Sequence, residues 1–191
     1  TTLSRTCDAS SDLPETWRFY VDSQNNYDGC YFGTPLEFAA GQCPMNVPCL
    51  PLDDVDRFLA QDFSRPLDNP WIRDRLEVHA ALTAAARDFT YLGRKGRVAP
   101  FQLGFDGPVT IGAVLMGSDI FTLMALDPDK ARAFFQKMIE AALVRNRALA
   151  ERTGGGWKKA EWGWAADDSI QLIGTAMYEE LVLPFHEWWY S

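Results

Sequence analysis

The clearest element in the sequence is a long amphipathic helix that begins after Asp127 and ends at Thr153. Asp127 is a good N-cap, and Pro128 suits the first helical turn. Apolar residues recur along the segment at helical spacing, namely Ala131, Phe134, Phe135, Met138, Ile139, Ala142 and Leu149. Three consecutive glycines follow Thr153 and stop the helix. The apolar residues mark an inward face, so the helix is expected to pack against a core.

The segments around this helix alternate between strand and helix patterns. RVAPFQLGF (residues 97–105) and residues 160–166 are typical of strands, whereas residues 107–117 are typical of a helix. Residues 175–191 predict a last helix that is interrupted or kinked near Pro184. The order from Arg97 onward is therefore strand, helix, helix, strand, helix. This order predicts parallel strands joined by helical crossovers.

The residues before Arg97 are less regular. Residues 1–16 are polar and are expected to be poorly ordered, and residues 17–191 are expected to form a single α/β domain. Residues 17–23 predict a short strand, and residues 24–52 predict loops with a hairpin. Helices are then predicted from the acidic pair at residues 53–54 and from the cap at Asn69.

Charge and hydropathy exclude several classes of protein. The 191 residues carry a net charge of -8, and the pI is about 4.7. Nucleic acids and anionic membranes attract clustered lysine and arginine, and the longest basic cluster here is the short run Arg94-Lys95-Gly96-Arg97. No uninterrupted apolar stretch reaches the length of a membrane span, and the first residues lack the apolar segment of a secretory signal. The expected location is cytoplasmic.

Cysteine and histidine patterns predict no metal site within the chain. Cys7, Cys30, Cys43 and Cys49 form no Cys-x-x-Cys pair and have no histidine partner motif, so free thiols are expected. His79 is expected to pack beside the apolar stripe of its helix. His186 is expected to be a solvated helix residue.

Carboxylates follow three of the predicted strands. Asp22, Asp106 and the pair Asp167 and Asp168 each stand at a predicted strand end. In parallel α/β folds, the loops that follow the strands form the active site. These carboxylates are therefore expected to converge on one open rim, at the carboxyl ends of the strands. An alternative for the pair is a cap of the following helix, in which Asp168 or Ser169 accepts backbone N-H bonds.

Three segments, in order, resemble the uroporphyrinogen decarboxylase superfamily. They are LGFDGPVTIGAVLMG (103–117), LDPDKARAFFQKM (126–138) and ADDSIQLIGTAMYEELVLPF (166–185), and PLDDVDRFL (51–59) is similar to the acidic segment ahead of the family's first long helix. The resemblance implies a (β/α)8 TIM barrel. Because such barrels usually need about 250 residues, a partial or abbreviated barrel is expected.

The resemblance also implies site residues and a reaction. In the decarboxylases an aspartate holds the pyrrole N-H groups, and Asp22 is its nearest counterpart here. The implied catalytic residues are Asp22, Asp167 and Asp168, and the implied substrate-binding residues are Asp106, Thr110, Gln171 and Tyr178. The implied reaction is a cofactor-free decarboxylation of a tetrapyrrole carboxylate side chain, in which Asp22 stabilises positive charge on a pyrrole nitrogen as carbon dioxide leaves.

Two alternatives stay open. The superfamily also contains zinc-dependent methyltransferases that act on corrinoid or thiol acceptors, and their zinc ligands would lie beyond Ser191, so no cofactor is expected within this chain. A non-catalytic barrel fragment or binding module is the other alternative. The expected partners are a small molecule, either a tetrapyrrole or a corrinoid, and a second copy of the chain, because an incomplete barrel would leave strand edges unpaired.

Overall fold

A computed structural model describes residues 15–155 and 165–191, and helices make up most of both ranges. The helices are α1 (Tyr27–Phe32), α2 (Val55–Leu59), α3 (Pro70–Ala86), α4 (Pro108–Met116), α5 (Asp119–Leu126), α6 (Pro128–Thr153), α7 (Thr175–Leu181) and α8 (Leu183–Tyr190). The strands are β1 (Trp17–Phe19), β2 (Leu36–Glu37), β3 (Met45–Asn46), β4 (Thr90–Tyr91) and β5 (Arg94–Val98). Single turns of 3-10 helix cover Leu52–Asp54, Pro66–Asp68 and Asp168–Leu172.

The ends of the long helices follow the capping signals in the sequence. The Asn69 side chain accepts hydrogen bonds from the backbone N-H groups of Trp71 (3.0 Å) and Ile72 (3.3 Å), and Asp127 caps α6 through the N-H of Lys130 (3.0 Å). Helix α6 ends at Thr153, and Gly154 adopts a left-handed conformation after it. These predicted boundaries are confirmed, and so is the interruption beside Pro184, where α7 ends and α8 begins.

The core is built around α6. All seven residues of its predicted inward face are buried: Ala131, Phe134, Phe135, Met138, Ile139, Ala142 and Leu149. Helices α4 and α5 cover this face with buried side chains such as Ile111 and Ile120. Helix α8 adds Trp189, whose ring stacks on Phe105 at a centroid distance of 4.4 Å.

In residues 15–155 and 165–191, the named strands form two small sheets. The first has the order β1-β5-β4, in which β1 is parallel to β5, with Trp17 opposite Gly96, and β4 is antiparallel to β5. The second is the antiparallel hairpin β2-β3, which was predicted within residues 24–52. Phe105 and Ala165 add one isolated parallel bridge. The prediction of a partial (β/α)8 TIM barrel is wrong, because the described residues form no barrel.

The segment predicted as a strand at residues 97–105 shows why the barrel does not form. Strand β5 ends at Val98, and Pro100 offers no N-H for a ladder. Side chains of α6 then take the backbone groups that a neighbouring strand would use. Thr153 Oγ1 accepts from the N-H of Phe101 (2.9 Å), while Asn146 and Arg145 donate to the carbonyls of Leu103 and Gly104 (both 3.1 Å).

Several sequence predictions concern residues outside the described ranges. Most of the segment 1–16 and most of the strand predicted at 160–166 lie there, as do Cys7 and three tryptophans, Trp157, Trp162 and Trp164. Cys30, Cys43 and Cys49 are described and carry free thiols, as predicted.

No single helix among the described residues combines the length and the hydropathy that a bilayer crossing needs. The pair α4 and α5 reaches that length only together, and it bends by 119° at its break.

A buried ion pair connects three parts of the fold. The Nη1 atom of Arg145 in α6 lies 2.6 Å from Oδ1 of Asp28 in α1, and both side chains are buried, with 0% and 1% exposed. Asp28 Oδ2 accepts a hydrogen bond from the N-H of Asp106 (2.9 Å), and Arg145 Nη2 donates to the carbonyl of Gly104. The pair therefore fixes the segment 104–106 between α1 and α6.

Removal of one partner should destabilise the protein strongly. We expect Arg145→Gln to lower the free energy of unfolding by about 3–5 kcal/mol, because Asp28 would be left buried without its counter-charge. Arg147→Gln is the matched control, since Arg147 is exposed and pairs with exposed Glu151, and its loss should be about 0–1 kcal/mol. Denaturant unfolding followed by circular dichroism measures both values. Equal losses would contradict the central role of the buried pair.

Candidate functional site

A cavity of about 730 Å³ lies between the N-terminal loops and the start of α4. Its polar wall consists of two carboxyl side chains, three amides and one hydroxyl: Asp106, Asp168, Asn25, Asn26, Asn46 and Thr110. Apolar side chains, including those of Met45 and Val114, complete the lining. Lysine and arginine are absent from the described lining. The cavity has the volume of a small-molecule site and a wall of hydrogen-bond acceptors and amides.

Asp106 is the most unusual group on this wall. It is 8% exposed, and the Tyr27 hydroxyl donates a hydrogen bond of 2.6 Å to its Oδ1 atom. Its Oδ2 atom receives no donor from the described residues, so this oxygen is free for a ligand. Burial, reinforced by the nearby charge of Asp28, raises the pKa of Asp106 to about 7, although Tyr27 and Arg145 act in the opposite direction. Asp168 adds a smaller effect that also raises this pKa.

Asp167 has a different surrounding from its neighbour Asp168. Asp167 is buried and caps α4, because its Oδ1 accepts from the N-H of Thr110 (2.7 Å) and its Oδ2 accepts from the N-H of Val109 (3.3 Å). Helix α4 precedes Asp167 in the sequence. The alternative considered from the sequence was different, namely that Asp168 or Ser169 caps the helix that follows the pair. Asp168 is exposed and lines the cavity. Asp167 is therefore a buried helix cap, whereas Asp168 is part of the cavity wall.

Gly107 allows Asp167 to approach α4. This glycine has a φ of +84°, and a Cβ atom on it would lie 2.3 Å from the Cβ of Asp167. Only glycine combines this backbone conformation with such a close contact. The sequence GlyPro at residues 107–108 thus creates the space in which a carboxylate caps the helix.

His186 is a site-adjacent residue that sequence reasoning missed. The prediction of a solvated histidine is wrong, since only 14% of its side chain is exposed. Its Nε2 atom donates to Asp167 Oδ2 (2.9 Å), and its Nδ1 atom lies 3.3 Å from the Tyr178 hydroxyl. This order of carboxylate, imidazole and hydroxyl resembles an acid–base triad, but neither His186 nor Tyr178 lines the cavity. The contacts instead connect α7 and α8 to the start of α4.

The structure brings together only some of the predicted site residues. Asp106, Thr110 and Asp168 line one cavity, and Asp106 and Asp167 follow the parallel bridge between Phe105 and Ala165. Asp22 is exposed, does not line this cavity, and accepts a hydrogen bond from the N-H of Gln24 (2.8 Å). Gln171 is exposed on the 3-10 turn, and Tyr178 is half-buried beside His186.

Tyr27, Asp28 and Arg145 were not identified from the sequence. Tyr27 and Asp28 lie in a segment predicted as loops, and the inward face of α6 was defined by its apolar residues alone, so the charged Arg145 was left out. One signal was available for Arg145, since it lies three residues after Ala142 and four before Leu149, on the predicted inward face. A cation on that face requires a buried partner.

Metal coordination has no counterpart among the described residues. In residues 15–155 and 165–191, no group of three or more His, Cys, Asp or Glu side chains is arranged to hold a metal ion.

We expect Gly107→Ala to lower the free energy of unfolding by about 3 kcal/mol or more. Positive φ costs a residue with a Cβ about 1–2 kcal/mol, and displacement of the Asp167 cap adds to that cost. Gly117→Ala is the matched control, because Gly117 also combines a positive φ (+63°) with a ψ (−136°) far from the left-handed helical region, and a new Cβ there would contact Pro48 only at 3.7 Å. Thermal and denaturant unfolding measure the two losses. If they are equal, contact with Asp167 is unimportant.

Asp106 should give the protein a characteristic pH dependence. Its pKa is raised on folding, so its contribution to stability is complete below about pH 4 and is lost as the pH rises through about 7. The stability of Asp106→Asn relative to the wild type should therefore increase between pH 4 and pH 8, by up to about 4 kcal/mol. Denaturant unfolding at several pH values measures this difference. Asp22→Asn serves as the exposed control, and a flat difference for Asp106→Asn would contradict the prediction.

The chain was also compared with known proteins. Comparisons with protein-family models, with curated proteins and with solved structures found no match. The relation to the uroporphyrinogen decarboxylase superfamily therefore stays a prediction that depends on the quoted motifs.

Proposed function

We propose that this protein is an enzyme that binds a small molecule in the 730 Å³ cavity and transfers a proton through Asp106. The cavity wall would bind the N-H groups of that small molecule. One observation carries the proposal. Asp106 and Asp168 lie on the wall of the same cavity, and Oδ2 of Asp106 is free of donors among the described residues. A buried carboxyl that faces a cavity in this way is suited to general acid–base chemistry.

The charge of the wall supports a ligand that brings hydrogen-bond donors. Two carboxyl groups face the cavity, and its described lining has no cationic side chain to bind an anion. Carboxylate side chains of a ligand would be repelled there, whereas ring N-H groups or a cationic centre would be attracted. The amides of Asn25, Asn26 and Asn46 can donate or accept at the ligand's periphery. The pyrrole N-H groups of a tetrapyrrole meet this requirement. The one carboxylate that is cleaved would lie beside the protonated Asp106, and the other carboxylates would point out of the cavity.

The reaction class that fits both the resemblance and the wall is decarboxylation without a cofactor. The bond between a substrate carbon and its carboxylate breaks, carbon dioxide leaves, and the electron pair stays on the substrate carbon. That carbon then takes the proton from Oδ2 of Asp106, which is replenished from solvent. A carboxyl with a pKa near 7 can both hold and release this proton at neutral pH. Asp168 would accept a hydrogen bond from a ring N-H group and so hold the substrate in place.

The test is decarboxylation of a pyrrole carboxylate, followed as carbon dioxide release. We expect Asp106→Asn to lower kcat by about 10²- to 10⁴-fold, because the variant cannot supply the proton. Asp168→Asn should weaken substrate binding and lower kcat/KM. Asp22→Asn is the deciding comparison, since the resemblance assigned the catalytic role to Asp22. Loss of activity in Asp22→Asn with full activity in Asp106→Asn would overturn the cavity assignment.

Absorbance titrations with a porphyrin and with a corrinoid separate the alternatives. A change with the porphyrin that is lost in Asp168→Asn supports the proposal. A change with the corrinoid alone would favour the methyltransferase alternative. Porphyrin binding by a wild-type protein that releases no carbon dioxide would overturn the enzymatic proposal in favour of a binding module.

A further inference from the structure

We propose that Tyr27 is a positioning residue that directs the acidic proton of Asp106 to Oδ2, the oxygen left free for a ligand. The inference rests on the proposed function, since it explains how Asp106 would present a proton to a bound molecule. The phenol reaches only one of the two carboxyl oxygens of Asp106. The two oxygens therefore have different roles.

The hydrogen bond between Tyr27 and Asp106 is short. The distance of 2.6 Å between Tyr27 Oη and Asp106 Oδ1 is at the short end for an O-H···O hydrogen bond, as is typical when the acceptor is a carboxylate. Both residues are buried. The Oδ1 atom of Asp106 therefore already accepts a hydrogen bond from Tyr27.

The Tyr27 hydroxyl keeps its proton over a wide pH range. Burial, the hydrogen bond to Asp106 and the negative charges of Asp106 and Asp28 raise the pKa of Tyr27 well above its ordinary value. The phenol therefore stays protonated and donates throughout the range in which Asp106 titrates. A proton on Oδ1 would face the hydroxyl that already donates to it, so the neutral acid carries its proton on Oδ2.

Three charged groups of the described residues act on Asp106 besides the Tyr27 hydroxyl. Asp28 and Asp168 are negative and disfavour the ionised carboxyl, whereas Arg145 and the Tyr27 hydroxyl favour it. Asp28 and Arg145 also hold the backbone of residues 104–106, so their replacement would disturb position and charge together. Of these four described groups, Tyr27 is the one whose effect on Asp106 can be removed without a change of charge.

The experiment compares Tyr27→Phe with Tyr31→Phe in the full chain. Tyr31 lies on the same helix beside Arg145, and its buried hydroxyl has no hydrogen-bond partner among the described residues. Both variants remove one buried hydroxyl, but only Tyr27→Phe removes a donor to Asp106. The readout is the titration of the Asp106 carboxyl by carbon-13 NMR, assigned by its loss in Asp106→Asn. Thermal unfolding reports whether each variant is folded.

We expect Tyr27→Phe to move the Asp106 titration upward by about one pH unit, because a hydrogen bond to the ionised carboxyl is lost. The pH profile of carbon dioxide release should move in the same direction, and Tyr31→Phe should move neither. Incorporation of 3-fluorotyrosine at position 27 keeps the ring and the hydroxyl. It makes the phenol a stronger donor, so it should move the titration downward.

Opposite movements in the two position-27 variants support the proposal. An Asp106 titration that moves in neither of them, or that moves equally in Tyr31→Phe, overturns it. If Tyr27→Phe is unfolded, the 3-fluorotyrosine protein decides alone. Failure of the proposed function has a different signature, namely a wild-type Asp106 that titrates as inferred while Asp106→Asn keeps full activity.

Discussion

The buried ion pair between Asp28 and Arg145 is the contact on which the rest of the arrangement depends. The ion pair connects three parts of the chain that are distant in sequence, because α1, α6 and the segment 104–106 meet at one guanidinium and one carboxylate. Each charge is fully desolvated, so neither partner is tolerated there without the other. The same carboxylate that neutralises Arg145 also orients the backbone of Asp106. Stability of the core and placement of the cavity wall are therefore coupled.

Much of the helical part of the fold could be predicted from the sequence, because its signals are local. Capping at Asn69 and Asp127, the inward face of α6 and the break beside Pro184 each depend on residues within a few turns. The sheet could not be predicted in the same way. Whether residues 97–105 form a strand is decided by Thr153, Asn146 and Arg145, which lie about 40 to 50 positions away and bind the backbone. An apolar run shows that a segment is buried, but it does not show what occupies its N-H and C=O groups.

The candidate site, like the fold, could be predicted from the sequence only in part. The expectation that carboxylates meet beyond parallel strands identified Asp106 and Asp168, because the bridge from Phe105 to Ala165 brings those positions together. It failed for Asp22, since β1 pairs with β5 and not with the segment that carries Asp106. The different roles of Asp167 and Asp168 could not be predicted from the sequence. They depend on the close approach of Asp167 to Gly107 and on the contact between Asp167 and His186. Adjacent residues with one chemistry can therefore have unrelated roles.

The composition of the cavity wall has a consequence for how a ligand would act on the molecule as a whole. Asn25, Asn26 and Asn46 come from the irregular N-terminal quarter, whereas Thr110 and Asp168 belong to the helical body. An occupant that contacts both would crosslink these two parts non-covalently, so some of its intrinsic affinity would be spent on restricting the hairpin. Occupancy would then protect backbone amides of the hairpin from hydrogen exchange, a signature that an occupant held by the helical body alone would not produce.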